Sequence, residues 1–168
     1  MRLHSKKIVL CAIMASCGII FSYIEFLFPI PIGIPGVKLG LSNIVSLIIL
    51  YWLGLPEALI VSSVRVCVSG LLFGNLFSVL YSMGGAFLAL LMMYLLKKIS
   101  FISIVGVSIG GGIAHNIGQI IIACLIVNNI NTFLYLPVLI ISGTVCGLLV
   151  GLVSSCIVKR INIDYFER

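Results

Sequence analysis

The sequence predicts an all-α integral membrane protein, one bundle of six transmembrane helices with both termini cytoplasmic. Three observations carry this. The chain of 168 residues is 62% hydrophobic and only 8% charged, with a mean hydropathy of +1.35. A soluble domain is about 25% charged, so this chain has too little polar surface to cover a globule in water. Its apolar residues also gather into runs near the length of a bilayer crossing, about 20 residues. Finally, its basic residues flank those runs instead of forming a patch, which is the pattern of topology and not of a nucleic-acid partner. The expected surroundings are a bacterial plasma membrane, and residues 1–168 make one domain.

The first span is expected over residues 8–28. Its basic flank, MRLHSKK, resembles that of a signal peptide, but the apolar run is too long for one and no small-residue cleavage site follows. The second, shorter span covers 39–53 and is entered through the loop PIPIGIPGVKLGLSN, residues 29–43. Gly54-Leu55-Pro56 separates it from the third, 57–72, where Pro56 suits the first turn of a helix. Gly74-Asn75 divides the next uncharged stretch and starts the fourth span, 76–96. Between Ile99 and Val158 there is no Asp, Glu, Lys or Arg. The polar cluster from Asn128 to Thr132 splits this stretch into a fifth span, 101–127, and a sixth, 133–158.

Charge supports the count. With six spans and a cytoplasmic N-terminus, the inner side receives Arg2, Lys6, Lys7, Lys97, Lys98, Lys159, Arg160 and Arg168, eight of the ten basic residues. Lys38 alone falls outside, and Arg65 lies within the third span. One helix more or fewer would scramble this asymmetry.

Arg65 is the sharpest signal of function. An arginine at mid-span costs at least about 2.5–3.5 kcal/mol on insertion scales, so it must face a partner or a watered cavity. An ion pair with Glu25 would serve structure alone, and the pair can coexist with ligand binding. Other polar groups fall toward the same, outer, leaflet: Glu25 on span one, Asn43 on span two, Asn75, Ser78 and Tyr81 on span four, and His115, Asn116 and Gln119 on span five. His115 and Gln119 are four apart and share a helix face. Singly, each such residue is more often interhelical glue. Together they point to a pocket open to the outside.

Small residues bear on packing. Gly143, Gly147 and Gly151 repeat every four residues on span six, span five is also glycine-rich, and both sets are expected to let helix backbones approach closely within the monomer. On span one, Ala12, Ala15 and Ser16 form a small face that suits docking of a partner membrane protein. The six cysteines are scattered in apolar runs and fit packing as small hydrophobes, with no metal-site spacing. There is no GxxxxGK[ST] and a single aspartate, Asp164. The chain therefore neither powers itself with ATP nor offers the clustered carboxylates that hold Mg²⁺ on a diphosphate, and neither catalysis nor a cofactor is expected of it.

PGVKLGLSN at 35–43, preceded by Glu25 and a proline-containing corner and followed by Arg65 and the segment GGGIAHN, resembles the signature of the Gx transporter family, also labelled heptaprenyl diphosphate synthase component I. The resemblance covers about residues 7 to 160. That family is similar in size and helix plan to the substrate-binding (S) components of energy-coupling factor (ECF) transporters. The resemblance implies capture of a small solute from outside, and docking through the first helix on a shared transmembrane subunit and two ATPases.

The expected role is thus a solute-binding subunit for a small anionic or vitamin-like molecule. Lys38 and Arg65 would hold an anionic head, with Glu25, Asn43, His115, Asn116 and Gln119 completing its polar contacts and Tyr81 holding a flatter part. The loop before Asn43 would close over the pocket, its prolines giving stiffness and its glycines close approach. Lys38 also fits a plain interfacial anchor. Other roles remain open: a membrane component of isoprenoid or quinone synthesis, an ion-coupled carrier using Glu25, or a structural subunit.

Overall fold

The computed structural model describes residues 2–28 and 40–161. The loop at 29–39 with Lys38, the first residue of the expected second span, and Asp164 and Arg168 lie outside the described residues. Six α-helices follow in order: α1 (Arg2–Leu27), α2 (Leu41–Trp52), α3 (Leu55–Phe73), α4 (Leu76–Lys97), α5 (Ile104–Val127) and, after a 3₁₀ turn at Ile130–Tyr135, α6 (Leu136–Arg160).

Local chemistry sets their ends. Pro56 sits in the first turn of α3, where no intrahelical N–H is needed. The Asn75 side chain caps α4 by accepting from Ser78 N at 2.8 Å, and Ser103 Oγ caps α5 by accepting from Gly106 N at 3.2 Å. That serine moves the start of α5 from the expected 101 to 104. Asn128, at φ 52°, ends α5 in the left-handed conformation that asparagine tolerates. The 3₁₀ turn takes up residues expected in the sixth span, so α6 begins at 136.

The expected six helices are present, and among the described residues five helical segments are long and apolar enough to cross a membrane by length and composition, with α2 a shorter apolar helix. The 12 residues of α2 rise only about 18 Å against a hydrocarbon core of about 30 Å. Its surroundings explain the helix. Ser42 and every residue from Ile44 to Leu50 are buried, and α2 packs against α1, α3, α4 and α6. It is the bundle's core. The five long helices instead turn large apolar side chains outward, including Leu71, Leu125 and Ile141, each about two-thirds or more exposed. Such continuous apolar surface has lipid as its solvent, and the protein is a multi-pass membrane protein.

The short helix is fastened at both ends. Gly40 precedes it at φ 74°, a conformation glycine adopts freely. The Glu25 carboxylate, reaching from α1, accepts from Leu41 N at 3.0 Å. At the other end Lys97 Nζ donates to Leu50 O at 2.8 Å and lies over the Tyr51 ring, 4.8 Å from its centroid. An anion therefore meets the positive end of the helix dipole and a cation the negative end.

α4, α5 and α6 form the tightest part of the bundle. The glycine repeat of α6 meets the backbone of α5, as the spacing predicts: a Cβ at Gly147 would lie 2.7 Å from Ile109 Cα and 2.8 Å from Ser108 O, and one at Gly151 2.9 Å from Val105 Cα. Neither neighbour is a flexible side chain that can swing away. Gly147→Ala is accordingly expected to force the helices apart at a cost of about 1–3 kcal/mol, read as a lower melting temperature in detergent. Val145→Ala, at an outward position 53% exposed, should leave the melting temperature nearly unchanged.

Candidate functional site

A cavity of about 480 Å³ opens among the helices beside the first turn of α2. All six helices contribute to its wall. Most of the polar residues singled out in the sequence come together in this wall. Glu25, Asn43, Arg65, His115, Asn116 and Gln119 all line the cavity, and so do Asn75 and Ser78. Lys38 lies outside the described residues.

Arg65 occupies the wall contributed by α3 and is only 6% exposed. Its aliphatic stem runs over Gly18 of α1, where a Cβ would come within 2.8 Å of Arg65 Cδ. Its two terminal nitrogens donate to hydroxyls, Nη1 to Ser42 Oγ and Nη2 to Ser62 Oγ at 3.4 Å. Nε has no hydrogen-bond partner among the described residues. Ser62 also accepts from Ser46 Oγ at 3.4 Å, so a line of hydroxyls joins α2 to α3 beneath the guanidinium. Hydroxyls orient the cation without neutralising it.

The expected pairing of Arg65 with Glu25 takes a different form. The two make no ion pair among the described residues: Glu25 spends one carboxylate oxygen on Leu41 N and Arg65 turns to Ser42. Opposite charges are thus anchored on consecutive residues of α2 while remaining apart. Geometry requires this, because Leu41 N is an orphan donor at a helix start in an apolar surrounding and competes for the carboxylate.

On α5 the three polar residues divide their work. Asn116 ties α5 to α6, its Nδ2 donating to Leu139 O at 2.6 Å and Ser142 Oγ at 3.1 Å. His115 and Gln119 pack over Gly85 of α4, where a Cβ would lie 2.8 Å from Gln119 Cγ and 3.0 Å from His115 Cε1. Tyr81 does not line the cavity. Ser78 and Ser82 do, one turn apart on α4, and Tyr81 next to Ser82 is rotated off that face. Sequence reasoning also passed over Ser22, Ser42, Ser69 and Ser108 in the wall. The four-residue step from Ser78 to Ser82 is the one signal that pointed to this face.

Phe26 and Phe73 both line the cavity, and their rings stack at 5.9 Å and 27°, with Tyr23 4.9 Å from Phe73. Met93, Val150 and several glycines also line it. A wall that mixes charged and polar groups with aromatic and apolar ones suits a small amphiphilic molecule. Of the small face on α1, Ala12 and Ser16 are exposed whereas Ala15 is buried in the core, 8% exposed.

No curated protein and no solved structure matches this chain. The family model described as heptaprenyl diphosphate synthase component I matches residues 14–157. A match across most of the chain, by a membrane bundle with this cavity at its centre, shows the kinship: the chain belongs to the heptaprenyl diphosphate synthase component I family.

Proposed function

We propose that the protein is the solute-binding membrane subunit of an ECF-type transporter, and that it captures a small anionic or vitamin-like molecule from outside a bacterial plasma membrane. One observation carries the reading: a cavity of about 480 Å³ inside a membrane bundle is lined by a buried arginine whose Nε has no hydrogen-bond partner among the described residues. A charge at this depth is costly, and a purely structural arginine would be expected to use up its donors. Arg65 holds the anionic part of the solute, while Asn43, His115 and Gln119 contribute polar contacts. The exposed Ala12 and Ser16 on α1 belong to the surface that meets a transmembrane partner and, through it, two ATPases.

The protein performs no chemistry on its solute in this reading. The family description favours a second one, a non-catalytic membrane component attached to heptaprenyl diphosphate synthesis. Co-purification separates the two, because ATPase subunits accompany a transporter and a soluble prenyltransferase accompanies a synthase component.

Three outcomes are expected. Native mass spectrometry of the full chain in mild detergent should find wild type carrying a co-purified solute that R65Q has lost. With that solute added back, R65Q should bind it roughly ten- to a hundredfold more weakly, the equivalent of about 1.5–3 kcal/mol for a charge-assisted hydrogen bond. Lys38→Gln should cost less, since Lys38 lies outside the apolar spans. A lowered melting temperature of R65Q with unchanged affinity would make Arg65 structural and overturn the reading.

Orientation is tested separately. With both termini cytoplasmic, a cysteine at Ile34 on a cysteine-free background should react with an impermeant thiol reagent in intact cells. Protection there, with labelling beside Lys97, would reverse the protein in the membrane.

Catalysis gives the third outcome. The purified chain, with its single aspartate, should not elongate a prenyl diphosphate in the presence of Mg²⁺. Mg²⁺-dependent elongation by the chain alone would refute the binding role.

A further inference from the structure

The cavity wall carries two opposite charges that do not meet. Arg65 is bound to Ser42, and Glu25 to the neighbouring Leu41 N, so both are held on the first turn of α2. Each keeps unused hydrogen-bonding capacity. Arg65 Nε has no partner, and only one of the two carboxylate oxygens of Glu25 has a hydrogen bond among the described residues. In a medium of low dielectric, neighbouring opposite charges gain several kcal/mol by pairing at close range. Here the serines and the helix N-terminus hold them apart. The gap between them is part of the cavity, since Glu25, Ser42 and Arg65 all line it.

Electroneutrality then decides what fits. A simple anion on Arg65 would leave Glu25 as a second negative charge on the same helix turn, and burying an unbalanced charge is expensive. A simple cation on Glu25 would have the matching fault beside Arg65. A molecule bearing an oxyanion and an ammonium balances both at once. We infer that the solute is a small zwitterion whose oxyanion rests on Arg65 and Ser42 and whose ammonium rests on the free oxygen of Glu25. This deepens the solute-binding role proposed above and rests on it. The oxyanion is a carboxylate or a phosphate, so a free amino acid and an aminoalkyl phosphate share the required chemistry, as does a phosphoethanolamine lipid headgroup.

The test uses the full chain in detergent, with thermal stabilisation and calorimetry as readouts. The probes are α-, β- and γ-amino acids, O-phosphoethanolamine and short-chain phosphatidylethanolamine, each compared with its N-acetylated form and, for the amino acids, with the methyl ester. At least one zwitterion should bind, and both kinds of blocking should weaken it at least tenfold. Preference for the diacyl lipid over free O-phosphoethanolamine would assign the headgroup as the source, and the reverse order a soluble solute. Glu25→Gln keeps an oxygen to accept from Leu41 N, so helix α2 remains capped. In E25Q the zwitterion should lose at least tenfold while its N-acetylated form loses nothing, and this pattern holds even where Arg65 variants fail to fold.

Two results would overturn the inference. If N-acetylated anions bind wild type as well as their zwitterions do, and R65Q abolishes both, the site takes simple anions and solute binding stands without the zwitterion. If no zwitterion binds and native mass spectrometry finds no solute on wild type, the inference and the solute-binding role fail together.

Discussion

The bundle is organised around one short, buried helix, α2, whose two ends are met by charged side chains from other helices. A helix start leaves N–H groups unpaired and a helix end leaves carbonyls unpaired, and inside a bilayer each orphan costs several kcal/mol. A spanning helix carries those groups out to the interface. At α2, charged side chains from other helices meet such groups, Glu25 at Leu41 N and Lys97 at Leu50 O. Those two contacts tie α1 and α4 to the core helix, and they fix its position along the bundle axis.

The cavity follows from the same shortness. α2 fills about 18 Å of an axis that crosses about 30 Å of hydrocarbon, and the cavity lies beside its first turn, with Gly40, Ser42 and Asn43 in the wall. The positive end of the α2 dipole and the Arg65 guanidinium therefore point to the same place. Glu25 is drawn there by the orphan N–H of Leu41. The need to finish one helix thus brings an acid and a base to the same site, and the hydroxyls of Ser42 and Ser62 let the arginine stay charged without consuming the acid.

Five long helices were legible because lipid-facing surfaces force continuous apolar runs. The burial of α2 was less legible, because hydropathy does not distinguish an apolar helix facing lipid from one surrounded by protein; its short length is the available clue. Arg65, His115, Asn116 and Gln119 stood out because polar groups in an apolar run are rare and must face inward. The cavity serines were hidden, since serine also serves as packing in membrane helices and only the rotation of the helix decides its role. Tyr81 lies off the cavity wall for that reason, one residue from Ser82 but about 100° around α4. The cap that Glu25 supplies joins residues across a loop, and Lys97 was legible only as a topological charge.

The two halves of the bundle are held together by different physics. α4, α5 and α6 join through glycines at backbone distance, where a single added methyl group clashes with main-chain atoms. α1, α2 and α3 share an apolar core and add to it polar contacts and an arginine stem lying over Gly18. Close backbone packing is stiff because its neighbours have no rotamers to change, whereas hydroxyl and carboxylate contacts can exchange partners. The cavity lies along the seam, with Glu25 and Arg65 on the polar half and His115 and Gln119 on the glycine-packed half. A ligand spanning these residues would brace one half against the other. Its binding energy would act on the contacts best able to rearrange, those around the first turn of α2, so occupancy of the cavity and the position of α1 are physically linked through Glu25.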